Sequence, residues 1–254
     1  MFISEPEKRR PPRGGGEALL LVEDLHVAYG KAEVVHGVSL RVHAGEFVVL
    51  LGRNGAGKST TLHAVSGLIP KKAGRVLVAG ADMTGAAPRD IVGAGVVQVL
   101  QGHQVFTTLT VEDNLLIGTY AHHPHGDRGR LDRIYDLFPE MAERRDQPAS
   151  RLSGGQQQIL AVAQGMIGEP RLLILDEPSA GLAPIVIDRI LDVAATLCRE
   201  GVAVLLVEQL VEKALRHASY CYLIETGRVA GEGTVEEIQR GDLLHRIYLG
   251  GQED

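Results

Sequence analysis

Lys58 and Ser59 close the stretch GRNGAGKST, Gly52 to Thr60, which fits the pattern G-x-x-x-x-G-K-[ST]. That spacing is suited to holding phosphate. Gly52, Gly55 and Gly57 let the backbone turn its N–H groups inward on anionic oxygens, and a helix opening at the end of the turn adds partial positive charge. Lys58 can reach terminal phosphates and Ser59 can offer Mg2+ a hydroxyl ligand; Asn54 and Thr60 complete the candidate nucleotide-binding positions of the turn.

Three other stretches carry candidate chemistry. RLLILDEP, Arg171 to Pro178, runs through four apolar residues into Asp176 and Glu177. Ligands of open parallel sheets bind at the carboxyl edge, so Asp176 can hold Mg2+ indirectly and Glu177 can orient or deprotonate an attacking water. In RLSGGQQQ, Ser153 is placed to cap a helix. The bland reading is a capped helix with a flexible Gly pair; the functional one is a second anion site made from the Ser153 hydroxyl and the Gly154–Gly155 backbone, with Gln156 beside them. A second phosphate-binding element in one chain points to a nucleotide shared between two chains. VAVLLVEQL, residues 202 to 210, is either a buried strand surfacing at Glu208 and Gln209 or a strand that aims Gln209 into a site.

The elements that must position these groups are legible in the patterning. LLLVEDLHVAY and EVVHGVSLRV alternate partly and read as antiparallel strands. FVVLLG, RLLILDE and VAVLLVE are short continuous apolar runs, as in strands buried on both faces. QQQILAVAQGMIG and IVIDRILDVAATLCREG carry apolar residues at helical spacing, so strand and helix alternate and a parallel sheet is expected. Residues 106 to 151 show helical periodicity in VEDNLLIGTY and LDRIYDLFPEMAERR without a buried-strand run, which predicts an inserted helical subdomain. After Ile224 two short strands and a closing helical stretch, EEIQRGDLLHRIYL, are expected.

Composition narrows the class. With 254 residues, 44% of them apolar and 23% charged, the chain supports one sizeable core or a core with a subdomain. A formal charge of -6 gives no general reason to expect nucleic acid, and no apolar run approaches the roughly 20 residues of a membrane span. Cys198 and Cys221, without a secretory signal, suggest neither disulfides nor zinc and fit a reducing, cytoplasmic setting. Residues 1 to 16, rich in Pro, Gly and charge, read as a disordered leader whose KRRPPR is a solvated tail. The imidazoles of HHPHG, residues 122 to 126, lack a completing ligand set for a metal.

The phosphate loop, LSGGQ and LILDEP, in this order, resemble the nucleotide-binding subunit of ATP-binding cassette (ABC) transporters, from about Ala18 to the C-terminus. The resemblance implies an α/β fold over residues 17–254: a P-loop NTPase (RecA-like) parallel-sheet core, an antiparallel β subdomain and the inserted helical subdomain. It also implies ATP and Mg2+ as ligands. A second ATP-binding subunit, paralogue or self, would form a head-to-tail dimer in which LSGGQ of one subunit caps the ATP of the other. Two transmembrane permease subunits and, indirectly, an external solute-binding protein would complete the assembly, with the chain peripheral on the cytoplasmic face of the inner membrane. Tyr29 matches the aromatic that stacks on adenine. The glutamine that contacts Mg2+ has two candidates, Gln98 and Gln101, and spacing back from LTVEDNL favours Gln101.

Two positions depart from the commonest pattern of that family. Ala183 stands where many members carry an Asp of the dimer-contact loop, and Gln209 stands where a histidine usually contacts the γ-phosphate. With VFTTLTVEDNL and the terminal YLGG, they resemble the ATPases of branched-chain amino acid importers and of related urea or amide importers. A poorly hydrolysing, ATP-gated subunit paired with an active paralogue is the rival reading. Soluble ATPases of DNA repair or translation need long coiled-coil insertions or two fused cassettes, and the sequence has neither.

Overall fold

The computed structural model describes residues 17–102, 104–120, 127–241 and 244. The expected leader at 1–16, the histidine-rich loop at 122–126 and most of the closing stretch beyond Arg240 lie outside the described residues.

β1 (Leu20–Tyr29) and β2 (Ala32–Val42) pair antiparallel as the alternation implied, with a register shift between Val22 and Leu25 that keeps Leu20, Val22, Leu25 and Val27 all buried. β3 (Phe47–Leu51) is buried along its whole length and leads through the glycine-rich turn into α1 (Lys58–Val65). β4 (Ala73–Val78) and β5 (Ala81–Asp82) extend the hairpin into a four-stranded sheet of order β2-β1-β4-β5. After α2 (Pro88–Gly93) and β6 (Val96–Val99) comes α3 (Val111–Gly118), capped by the Thr110 hydroxyl accepting from the Asp113 N–H. The LDRIYDLFPEMAERR periodicity does not give one helix: it breaks into α4 (Leu131–Leu137) and α5 (Pro139–Ala142), because Pro139 disfavours the helical conformation at Phe138.

α6 (Gly154–Met166), β7 (Leu172–Asp176), α7 (Pro184–Arg199) and β8 (Ala203–Glu208) follow in the expected alternation. α8 (Val211–His217) precedes β9 (Tyr220–Glu225), β10 (Arg228–Thr234) and α9 (Val235–Arg240). The first of these last two strands therefore begins at Tyr220 rather than after Ile224, where parallel pairing with Val48 is available. The second sheet has the order β10-β9-β3-β8-β7-β6, parallel except for β10.

Strand parity divides the core into two layers, one on each side of this sheet. Val49, Leu51, Leu173, Leu175, Val204 and Leu206 pack with α6 and α7, whereas Val48, Leu50, Leu172, Ile174, Leu205 and Val207 pack with α1 and the first sheet. Leu115, Leu131, Ile134, Phe138 and Met141 belong to the first layer, so the segment of short helices shares a continuous core with α6 and α7.

α3 approaches α6 so closely that a Cβ at Gly118 would lie 2.1 Å from the Gln164 carbonyl oxygen. Gly118→Ala is expected to destabilise the fold by about 1–3 kcal/mol, as overpacking does. Urea denaturation checks it, and a midpoint equal to that of the parent would contradict the close approach.

Candidate active site at the carboxyl edge of the parallel sheet

The turn after β3 is shaped by its glycines. A Cβ at Gly52 would sit 2.3 Å from the Ile224 carbonyl oxygen, and Gly57 adopts φ 100 at the start of α1, a left-handed conformation costly for any other residue. Gly57 provides no capping side chain, so the first N–H groups of α1 remain available to an anion. Asn54 and Gly55 are exposed at the crown of the turn, and Thr60 is half-buried one residue beyond Ser59.

Inside the turn, Lys58 is only 4% exposed. Its Nζ donates to the carbonyls of Gly52 (3.0 Å) and Arg53 (3.2 Å) and lies 3.3 Å from Glu177 Oε1. The other oxygen of that carboxylate, Oε2, accepts from Gln209 Nε2 at 2.8 Å and from Gln101 Nε2 at 3.3 Å. One carboxylate thus gathers a cation and two amides from three separate chain segments. Glu177 also adopts φ 45, a left-handed backbone held by its N–H donating to Val207 O at 3.0 Å. Strain of this kind costs of order 1–3 kcal/mol and persists only where the surroundings fix it.

Asp176, 2% exposed, has the parity of Leu172 and Ile174 and so faces α1. Its Oδ1 accepts from Ser59 Oγ at 2.8 Å, and its Oδ2 lies 3.5 Å from His63 Nε2. Burial raises the pKa of its carboxyl above the ordinary aspartate value, against the lowering effects of the Ser59 hydrogen bond and His63. A hydroxyl and a single buried carboxylate fit Mg2+, which keeps waters and leans on substrate phosphates rather than on an all-protein cage. Among the described residues no group of three or more His, Cys, Asp or Glu forms a metal cluster.

The two glutamine candidates separate cleanly. Gln98 lies within β6 opposite Ile174, its amide atoms buried without a hydrogen-bond partner, while Gln101 follows the strand and reaches Glu177. Ser153 and Gln156 are joined in a capping box, Ser153 Oγ accepting from Gln156 N at 3.3 Å and Gln156 Oε1 from Ser153 N at 2.9 Å. Ser153 and Gly154 are exposed, and a Cβ at Gly155 would come within 3.1 Å of Val186 on α7. Tyr29 ends β1 with its ring half exposed.

Two residues, His63 and Ser179, escaped the sequence reading. His63 lies four positions after Ser59 on α1, the same-face spacing that could have signalled it. Glu208, expected to surface at the end of its strand, does not: it is 1% exposed and takes hydrogen bonds from Ser179.

Residues 35–180 match the family described as ABC transporter. A high-affinity branched-chain amino acid transport ATP-binding protein of Pseudomonas aeruginosa is 38% identical, the match covering 92% of this chain and 100% of the relative. A probable branched-chain amino acid transport ATP-binding protein of Archaeoglobus fulgidus is 33% identical over 91% and 99% of the two chains. The lipopolysaccharide export system ATP-binding protein of Escherichia coli K12 is 32% identical over 92% and 98%. Among solved structures, an ATP-binding subunit of an ABC transporter superposes with a TM-score of 0.79 at 27% identity, covering 91% of this chain and 98% of that one. A nucleotide-free ATP-binding cassette, at 24% identity and TM-score 0.81 over 92% and 100%, shares the fold.

Because the folded pKa of Asp176 exceeds its unfolded value, the folded chain binds more protons between the two values, and stability falls as pH rises through that window. Asp176→Asn keeps an acceptor for Ser59 but removes the buried charge. Without nucleotide, the variant's Tm is expected to gain on the parent's as pH rises from about 4, near the ordinary aspartate pKa. Thermal melts across pH check this, and a gap independent of pH would show that burial does not oppose the charge.

Proposed function

The chain belongs to the ABC transporter family as an ATP-binding ATPase subunit, and from that premise we propose that it drives branched-chain amino acid uptake. The observation that carries the catalytic half of this reading is the convergence of Lys58, Gln101 and Gln209 on the Glu177 carboxylate. The substrate half is supported by the 38% identity to the Pseudomonas aeruginosa relative along its full length. Two transmembrane permease subunits, an external solute-binding protein and a second ATP-binding subunit complete the proposed assembly. Among the described residues no helix is long and apolar enough to cross a membrane; the place proposed for the chain is peripheral, on permeases at the cytoplasmic face.

In this reading the terminal phosphate of ATP takes Lys58 from Glu177, and the N–H groups of the turn and of α1 hold the phosphate chain. Freed of its cation, Glu177 takes a proton from the water whose oxygen attacks the terminal phosphorus, and ADP leaves. Gln101 and Gln209 fix the carboxylate through their amides. Ser59 and Gln101 would hold Mg2+ directly and Asp176 at one remove; the ion would neutralise charge on the phosphates. Tyr29 is assigned to the adenine ring, and Ser153, Gly154, Gly155 and Gln156 to the ATP bound by the partner subunit, head to tail.

Glu177→Gln is expected to lower turnover by about 100-fold or more, the scale of a lost general base, while leaving nucleotide binding intact. Turnover at the parent rate would overturn the assignment. Co-purification from membranes tests the transport half: a solute-binding protein and two permeases with leucine-stimulated ATP hydrolysis are expected, and a stimulating urea, amide or lipopolysaccharide would replace that substrate. An amide cannot gain a proton near neutral pH, so ionisation in the parent's pH–rate profile does not arise at residue 209. Gln209→His is expected to add a limb at about pH 6 to 7; an unchanged profile would count against contact with the reacting groups.

A further inference from the structure

Glu208 ends β8 as a carboxylate only 1% exposed, a placement tolerated only where donors meet the charge. Ser179 supplies two of them, its Oγ donating to Oε2 at 2.7 Å and its N–H to Oε1 at 3.1 Å. The N–H groups of Gln209 (2.9 Å) and Leu210 (3.4 Å) supply the others, both to Oε2. Ser179 lies two residues after Glu177, and Gln209 is the next residue along, so a single carboxylate ties together the two loops that end β7 and β8.

The parity of β8 puts Glu208 on the face of Val204 and Leu206, the opposite side of the sheet from Asp176 and α1. It therefore acts through its neighbours. We propose that Glu208 is a positioning residue for ATP hydrolysis, clasping the Glu177 loop through Ser179 to the Gln209 loop and so fixing the 2.8 Å approach of the Gln209 amide to Glu177. This rests on the roles given above to Glu177 and Gln209. A carboxylate is required because every one of its neighbours in the clasp is a donor. The amide of a glutamine, flipped either way, would set its own N–H groups against those of Ser179 or of Gln209 and Leu210.

The test uses the full-length chain, with steady-state hydrolysis, binding of a non-hydrolysable ATP analogue and thermal melts for Glu208→Gln, Ser179→Ala, Ser179→Thr and the double variant Glu208→Gln/Ser179→Ala. Glu208→Gln and Ser179→Ala are expected to lower kcat by about 10- to 100-fold, the effect of a misplaced catalytic group, with KM and analogue affinity within about twofold. Ser179→Thr, which keeps the hydroxyl, restores kcat. The double variant loses no more than Glu208→Gln alone, since both break one clasp. A parental kcat in folded Glu208→Gln overturns the proposal, as do additive losses, or a joint fall of kcat, affinity and Tm that Ser179→Thr does not relieve. If Glu208→Gln does not fold, the Ser179 pair decides. Glu177→Gln run alongside separates the failures: if it alone stops turnover, only the clasp is wrong, and if it hydrolyses ATP normally, the catalytic reading itself is wrong.

Discussion

A lysine ammonium enclosed by the turn that follows β3 is the constraint on which the site is built. Lys58 has lost nearly all contact with water, and two carbonyls alone leave its charge uncompensated. Glu177 supplies the counter-charge, and to do so it takes a backbone conformation that a glutamate rarely adopts. The pairing is local and replaceable: a phosphate bears the same sign and more acceptors. In the structure the Glu177 carboxylate thus stands against the Lys58 ammonium, the position proposed for a terminal phosphate.

The scaffold delivers these groups by strand ends and parity. β3, β7 and β8 lie side by side, with Leu51 opposite Glu208 and Asp176 opposite Val207. Alternation then sends Asp176 toward α1 and Ser59, and Glu208 toward the other face and Ser179. Glu177, just past the end of β7, belongs to neither face and projects from the edge, where Gln101 and Gln209 meet it.

Much of this was legible before any coordinates. Runs such as FVVLL, LLILD and AVLLVE announce themselves because strands buried on both faces need no alternation. The preference for Gln101 over Gln98 follows from spacing within the family resemblance, and in the structure Gln101 is the one of the two whose amide reaches Glu177. Other features resisted. β4 and β5 are short and mostly exposed or half-buried, so their pattern carries little signal. The burial of Glu208 could not be read from nine residues, because the donors that permit it include Ser179, 29 positions away. A charged residue at a strand end looks the same in sequence whether water or a folded loop receives it.

The continuous apolarity of β7 and β8 has a further consequence. In a strand with one wet face, a slip by one residue exposes the hydrophobic set and is strongly penalised. Here both faces are dry, so leucines, isoleucines and valines would pack nearly as well one step out of frame, and hydrophobicity alone specifies the register only weakly. The polar residues at the ends supply what it lacks: Asp176 finds Ser59, and Glu208 finds Ser179, in one frame only. A single-residue deletion inside Leu172–Asp176 would leave a sheet with an oily core and its chemistry turned to the wrong side. The groups proposed to serve the reaction are also the pins that keep the strands in step.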